Sequence, residues 1–138
     1  MRAINKIIVH CSATREGQDI STETIKRWHV DGRGWSDIGY HYVILLDGRV
    51  EIGRPIGRSG AHTIGQNKNS IGICYIGGVE EDGKTPKDTR TEEQKRSLTN
   101  LLITLKSIYG DDVKIHGHRD FAAKACPSFD ATEEYKFI

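Results

Sequence analysis

The fold class is indicated most clearly by residues 91–115, whose sequence is TEEQKRSLTNLLITLKSIYGDDVKI. Thr91 and Gln94 have the spacing of a capping box, which marks the start of a helix. Apolar side chains then recur at helical spacing, at Leu98, Leu101, Leu102, Leu105 and Ile108, before Gly110. Such a stripe indicates core packing, not a cofactor site. Residues 113–115 follow as a short apolar strand, so this stretch predicts a helix that leads into a sheet.

On either side of this stretch, predicted strands and helices continue to alternate. Strands are expected at 7–9 and 71–76, and a hairpin over 40–52 is centred on Asp47-Gly48, a two-residue turn typical of hairpins. A helix is expected to begin after Ser21 and to stop at Asp31-Gly32, and Asp130 is a candidate cap for a short last helix. We therefore predict an α/β fold, with residues 1–138 as a single domain and a mixed central β-sheet flanked by α-helices.

The composition argues against several classes of partner. The chain has 138 residues, of which 28% are charged, and a net charge of +1, so there is no electrostatic reason to expect nucleic acid or an acidic membrane surface. No apolar stretch approaches the roughly 20 residues of a membrane span, and the start does not read as a signal peptide. We expect synthesis in the cytoplasm, with action on an outside substrate only after release or export.

A cluster of side chains with coordinating and catalytic potential follows the strand at 113–115. It comprises the sequence HGHRD at 116–120 and, after a short loop, KACP at 124–127. Imidazole and thiolate are ligands that zinc prefers, so a histidine of this cluster and Cys126 are candidate zinc ligands. His116 and His118 are two residues apart and would share a face of a strand, so spacing does not decide between them. His10, at the end of the apolar run 7–9, is the candidate third ligand.

A three-ligand site of this kind would suit hydrolysis. It would leave the fourth zinc position for water, whose pKa zinc lowers to about 7. The ammonium group of Lys124 could then stabilise the oxyanion of a tetrahedral intermediate. The competing interpretation is structural, because a histidine at a strand end is usually just a polar terminus. Structural roles are expected for His29 on its helix, for His41 on the opposite side of its strand, and for Cys11 and Cys74 in the core.

Four separated motifs resemble a known family. They are IVHCSAT at 8–14, GYHY at 39–42, NSIGI at 69–73 and KACPSFD at 124–130. In order and spacing they are similar to the phage lysozymes that are N-acetylmuramoyl-L-alanine amidases of type 2. The sequence GHRD at 117–120 is also similar to peptidoglycan recognition proteins, which share the fold of those enzymes. The resemblance implies a catalytic core over about residues 6–130.

The resemblance implies a site, a substrate and a reaction. It implies that the second histidine of the cluster is a ligand and that zinc is held by His10, His118 and Cys126. It also implies catalytic roles for Tyr40, whose phenol could orient water or relay its proton, and for Lys124. The implied reaction is hydrolysis, by zinc-activated water, of the amide between N-acetylmuramic acid and L-alanine in peptidoglycan. Such an endolysin would degrade bacterial cell walls.

Substrate contacts are not specified by any motif. The loop over residues 53–70 is expected to line the glycopeptide groove, with Arg54, His62 and Asn67 as candidate contacts. Some phage members of the family also bind and inhibit the RNA polymerase of their phage, partly through a longer N-terminal segment. Only nine residues precede His10 in this sequence, which argues against that second function.

Two alternative functions remain at this point. The first is a module that binds muropeptide without cutting it, against which the presence of Cys126 argues, since loss of catalysis in the recognition proteins accompanies loss of that cysteine. The second is a thiol hydrolase with Cys126 as nucleophile and His118 as its base, a role that a zinc-bound thiolate could not easily play. We expect a monomer with a peptidoglycan (muropeptide) substrate. A holin or an immunity protein would be a compatible partner, although no motif indicates either.

Overall fold

A computed structural model describes residues 2–138 and confirms the predicted α/β fold with a mixed central sheet. The strands are β1 (Lys6–Cys11), β2 (Thr14–Arg15), β3 (Tyr42–Ile44), β4 (Val50–Ile52), β5 (Ser70–Tyr75), β6 (Gly78–Val79) and β7 (Lys114–Gly117). The main sheet has the order β4-β3-β5-β1-β7, and β2 pairs with β6 in a separate two-stranded sheet. All neighbours in the main sheet are parallel except β3 and β4, which form the predicted hairpin.

The helices are α1 (Thr22–Arg33), α2 (Glu92–Tyr109) and α3 (Ala131–Glu134). Ser21 caps α1 as predicted, but the expected stop at Asp31-Gly32 is wrong, because the helix continues through Gly32 and ends at Gly34. Gly34 adopts the left-handed conformation (φ 71°), and its N–H donates to the last turn, which is the usual way a glycine ends a helix. Within the described residues, none of these helices is long and apolar enough to cross a membrane.

Helix α2 begins with the predicted capping box and covers one face of the sheet. The side chain of Gln94 is fully buried and donates hydrogen bonds to the carbonyls of Ile44 and Ile76, which ties the start of the helix to the sheet. The core face of the helix buries Leu98, Leu102 and Leu105. Ile108, predicted to belong to this stripe, is instead 65% exposed. Ile108 lies ten residues after Leu98, so its side chain projects about 80° away from the direction of Leu98 around the helix axis.

Alternation along β1 separates the core from the site. Ile7, Val9 and Cys11 point into the apolar cluster under α2, so the intervening His10 points to the opposite face, as predicted. On that second face a smaller cluster, which includes Ile25 of α1, covers the sheet. The parallel strands β1 and β7 both end at the same edge of the sheet, and this brings His10 and the residues after Gly117 together.

Candidate active site

Three side chains from distant parts of the chain converge at the carboxyl ends of β1 and β7. They are His10 near the end of β1, His118 directly after β7, and Cys126 in the loop before α3. One donor atom of each lies within 4.8 Å of the others, and Cys126 Sγ is 3.9 Å from His10 Nδ1. His116 lies outside this cluster, since its ring packs on Phe121 and its Nδ1 atom faces Asp120 at 3.6 Å.

Both histidines of the cluster are held in the form that binds metals. Burial lowers the pKa of His10 well below its ordinary 6.5, with further contributions from His62, His118 and Lys124. The pKa of His118 is also lowered, by burial and by the charge of Lys124. At pH 7 the two imidazoles are therefore neutral, which leaves a lone pair for coordination.

The donor set suits zinc in its chemistry and spacing. Two imidazole nitrogens and one sulfur form a three-ligand set that leaves a tetrahedral position open. With Zn–N bonds of about 2.0–2.1 Å and Zn–S bonds of about 2.3 Å, tetrahedral donors are about 3.3–3.6 Å apart. The 3.9 Å between Cys126 Sγ and His10 Nδ1 needs a contraction of a few tenths of an ångström, and a separation of up to 4.8 Å within the cluster needs one of about 1.2–1.5 Å.

The loop that carries Cys126 is fastened to neighbouring segments by hydrogen bonds that each involve a main-chain carbonyl. The N–H of Arg119 donates to the Cys126 carbonyl at 2.8 Å, and the buried hydroxyl of Tyr75 donates to the Pro127 carbonyl at 2.6 Å. Ser128 adds a bond from its hydroxyl to the Gly78 carbonyl at 2.7 Å. The thiol position is thus determined by β5 and β6 as well as by the loop itself.

A cavity of about 330 Å³ opens beside the cluster and is lined by both predicted catalytic residues. The ring of Tyr40 lies 5.1 Å from that of His10. Burial, reinforced by neighbouring cysteine thiols, raises the pKa of Tyr40 well above 10, so its phenol stays protonated and can donate a hydrogen bond. Lys124 is exposed at the rim, and among residues 2–138 no carboxylate lies within ion-pair distance of its ammonium group.

The three candidate substrate contacts have different surroundings. His62 and Asn67 line the cavity, and the Asn67 side chain also accepts hydrogen bonds from the backbone N–H groups of His62 and Thr63, at 2.9 Å each. Arg54 does not line it. Its guanidinium is buried and donates to the carbonyls of Ile38, Ser59 and Asp37, so the prediction of a substrate contact there is corrected to a role in holding loops together.

Sequence reasoning missed part of the cavity wall. His29 and Trp35, with ring centroids 4.8 Å apart, both line the cavity. The Nδ1 atom of His29 accepts a hydrogen bond from the Gly39 N–H, and burial lowers its pKa to about 4, with smaller contributions from nearby arginines. The available signal was spacing, because His29 lies four residues after Ile25 and therefore shares its buried helix face.

Comparison with known proteins shows which family this chain belongs to and which solved structures share its fold. The family model described as N-acetylmuramoyl-L-alanine amidase matches residues 1–129. An endolysin of Enterobacteria phage T3 is 46% identical over 124 residues, which cover 90% of this chain and 80% of the endolysin. Among solved structures, N-acetylmuramoyl-L-alanine amidase LysC from Clostridium intestinale superposes with a TM-score of 0.78 and 30% identity, covering 96% of this chain and 82% of LysC.

A second structural relative extends the similarity to recognition proteins. PGRP-SA of Apis mellifera has a TM-score of 0.81 and 27% identity, covering 99% of this chain and 84% of that one. The cluster of His10, His118 and Cys126 lies in a fold shared by these proteins, and the family match covers all three residues. On this combination of fold, site and sequence, the chain belongs to the N-acetylmuramoyl-L-alanine amidase family and is an enzyme of that class.

Proposed function

We propose that this enzyme uses zinc and an activated water molecule to hydrolyse the amide between N-acetylmuramic acid and L-alanine in peptidoglycan. The observation that carries the proposal is the meeting of His10, His118 and Cys126 next to a cavity that Tyr40 and Lys124 line. A family match over residues 1–129 supports the choice of bond. The zinc ligands would be the two histidines and the cysteine of this cluster.

When bound, zinc supplies Lewis-acid polarisation of the amide carbonyl and activates water near neutral pH. Lys124 provides the positive charge for the second half of the reaction. Attack on the amide carbon turns the carbonyl oxygen into an oxyanion, and an unpaired ammonium group at the rim of the cavity can stabilise it. The side chain is free for this task since it has no carboxylate partner in the described part of the chain.

Tyr40 is suited to hold and orient the attacking water. Its phenol stays protonated because burial raises its pKa, so it acts as a hydrogen-bond donor and not as a base at neutral pH. Its ring is 5.1 Å from that of His10, and the residue lines the cavity beside the cluster. Of the two roles predicted for Tyr40, orientation of the water is therefore favoured over relay of its proton.

The chemistry of the cluster disfavours a thiol mechanism. A hydrogen bond with the Cys11 thiol and burial both raise the pKa of Cys126, so the metal-free thiol is neutral at pH 7 and a poor nucleophile. His118, the base that such a mechanism would need, has a lowered pKa that weakens it as a proton acceptor. A binding module without catalysis is disfavoured by the presence of all three donor atoms together with Tyr40 and Lys124.

Digestion of purified peptidoglycan, read by mass spectrometry with and without a chelator, tests this function. The expected products are free peptides that begin with L-alanine, without new reducing sugar ends, and they should disappear when the metal is removed. Full activity in the metal-free enzyme would favour the thiol mechanism. New reducing ends would indicate a glycosidase, and binding without products would indicate a recognition module.

The biological setting follows from the substrate. We propose that the enzyme acts as a monomer, through one amidase domain over residues 1–138, on cell walls that it reaches after release or export. A relative named endolysin from a phage supports release at lysis. A holin would serve as the partner in that route.

A further inference from the structure

His62 lies directly behind His10 in the cluster of His10, His118 and Cys126. Its Nδ1 atom lies 2.9 Å from Nε2 of His10, the ring nitrogen that points away from Cys126. The hydroxyl of Thr63 lies 3.2 Å from the same His10 nitrogen and 3.0 Å from His62 Nδ1. His62 and Thr63 are thus the hydrogen-bonding partners of His10 Nε2.

The direction of the hydrogen bond follows from the tautomers. A neutral His10 that coordinates through Nδ1 carries its proton on Nε2 and must donate it to an acceptor. His62 Nδ1, the closer of the two neighbours, is then the unprotonated nitrogen of its ring. The proton of His62 must lie on Nε2, where the Ser70 hydroxyl is 3.3 Å away and can accept it. One consistent chain of donors therefore runs from His10 through His62 to Ser70.

The ring of His62 is fixed in place by its packing as well. It lies directly over Gly72 in β5, where a Cβ atom would come within 2.5 Å of the ring carbon Cδ2. Only glycine leaves room for an imidazole so close to the strand. Because the backbone N–H groups of His62 and Thr63 are also held by Asn67, this part of the loop is rigid at the point where it meets His10.

We propose that His62 is a positioning residue for the zinc ligand His10: it accepts the Nε2 proton of His10, fixes the tautomer and ring orientation, and so strengthens metal binding. This inference rests on the zinc site proposed above. It gives His62 a different role from the substrate contact expected from its place in the loop. Hydrogen-bonded partners of this kind typically change metal affinity by about 10- to 100-fold.

The test compares two variants of His62 by zinc affinity, measured by competition with a chromogenic chelator. His62→Leu fills a similar volume without an acceptor, and His62→Asn places an amide oxygen near the position of Nδ1. We expect the leucine variant to bind zinc about 10- to 100-fold more weakly and the asparagine variant to stay close to the wild type. The leucine variant is repeated with Thr63→Val, so that the threonine hydroxyl cannot replace the missing acceptor. Circular dichroism of the metal-free proteins checks that each variant is folded.

A second measurement needs no variant. In zinc-loaded wild-type protein labelled with 15N-histidine, long-range NMR correlations should show protons on Nε2 of both His10 and His62. A proton on Nδ1 of His62 would overturn the proposal, because that nitrogen could not accept. Wild-type zinc affinity in the double variant, or equal losses in the leucine and asparagine variants, would also overturn it. If the wild type itself binds no zinc, both this inference and the proposed function are wrong, whereas failure of the variants alone leaves the proposed function intact.

Discussion

The backbone N–H of Cys11 donates a hydrogen bond to Sγ of Cys126 at 3.2 Å, which joins two positions 115 residues apart in the sequence. Cys11 directly follows His10, so the main chain of β1 presents one proposed zinc donor and at the next residue orients another. A fixed N–H donor also favours a negatively charged sulfur, the form in which cysteine coordinates zinc. The side chain of Cys11 takes no part in this bond.

Replacing these two cysteines should therefore have opposite consequences for the metal. Cys126→Ala removes the sulfur donor, and we expect zinc affinity to fall by more than about 100-fold. This loss exceeds the one that is typical when only a hydrogen-bond partner of a ligand is removed. Cys11→Ala keeps the backbone N–H and should retain about one zinc per chain, with a loss of only about 1–2 kcal/mol in stability from the missing thiol. Metal analysis after dialysis measures both. Retention of zinc by Cys126→Ala would rule this residue out as a ligand.

Tyr40→Phe should lower kcat by about 100-fold, since the phenol hydroxyl that orients water is removed. Zinc content should stay unchanged. Tyr42→Phe is the matched control, because Tyr42 packs against the core under α2 and should leave kcat unaffected. Loss of zinc in the Tyr40 variant would reveal a structural role instead.

The pH dependence of the same variant separates a hydrogen-bond donor from a base. The pKa of Tyr40 is raised above 10, so the phenol remains protonated from pH 7 to pH 9. We therefore expect a constant ratio of wild-type to Tyr40→Phe rates across this interval, measured with a soluble muropeptide. A ratio that grows steeply with pH would mean that the phenolate is the active form.

Lys124→Met should reduce kcat by about 100-fold or more while KM and zinc content change little, because the lost charge acts on the oxyanion of the transition state. Lys124→Arg keeps a positive charge and should retain more activity. Lys114→Met, at an exposed position on β7, provides the control. Equal rises in KM for all three proteins, without a change in kcat, would contradict the assigned role.

Stability is expected to depend on Arg90, whose buried guanidinium pairs with Asp88 and Glu134 and lies 3.5 Å from the ring centre of Phe129. Arg90→Met should cost about 2–4 kcal/mol, less than for a fully enclosed pair, because the Asp88 and Glu134 side chains are 32% and 44% exposed. Thermal unfolding at pH 7 measures this loss. An unchanged midpoint would show that the ion pairs contribute nothing.

Acid should reduce the difference in stability between the wild type and the Arg90→Met variant. The hydrogen bond from Arg90 lowers the pKa of Glu134 below its ordinary 4.5. A carboxylate whose pKa is lowered by folding stabilises the protein above its ordinary pKa and loses that contribution as the pH falls through the lowered value. Wild-type stability should thus fall more steeply than that of Arg90→Met below about pH 4.5.

Local sequence patterns predicted the fold class because they act over short distances. The capping box at Thr91 and Gln94 satisfies the first N–H groups of α2 in the way the sequence indicates. The period of the leucines after it gives the buried face of that helix. The end of α1 was predicted wrongly because two nearby glycines, Gly32 and Gly34, could each end the helix. The exposure of Ile108 was missed because a residue at the edge of an apolar helix face has no partner to cover it.

The residue types of the site were also visible in the sequence, through imidazole, thiol and ammonium groups near strand ends. Spacing alone did not choose between His116 and His118, and no motif specified which residues of the loop over 53–70 contact the substrate. Tertiary structure decided these points, because the parallel pairing of β1 with β7 sets which side chains meet at the edge of the sheet. His62 shows the same dependence, since its bond to His10 spans 52 residues and exists only because Gly72 leaves room for its ring. The sequence by itself determined the elements and the chemistry available, and only the packed sheet determined which of those groups lie within reach of one another.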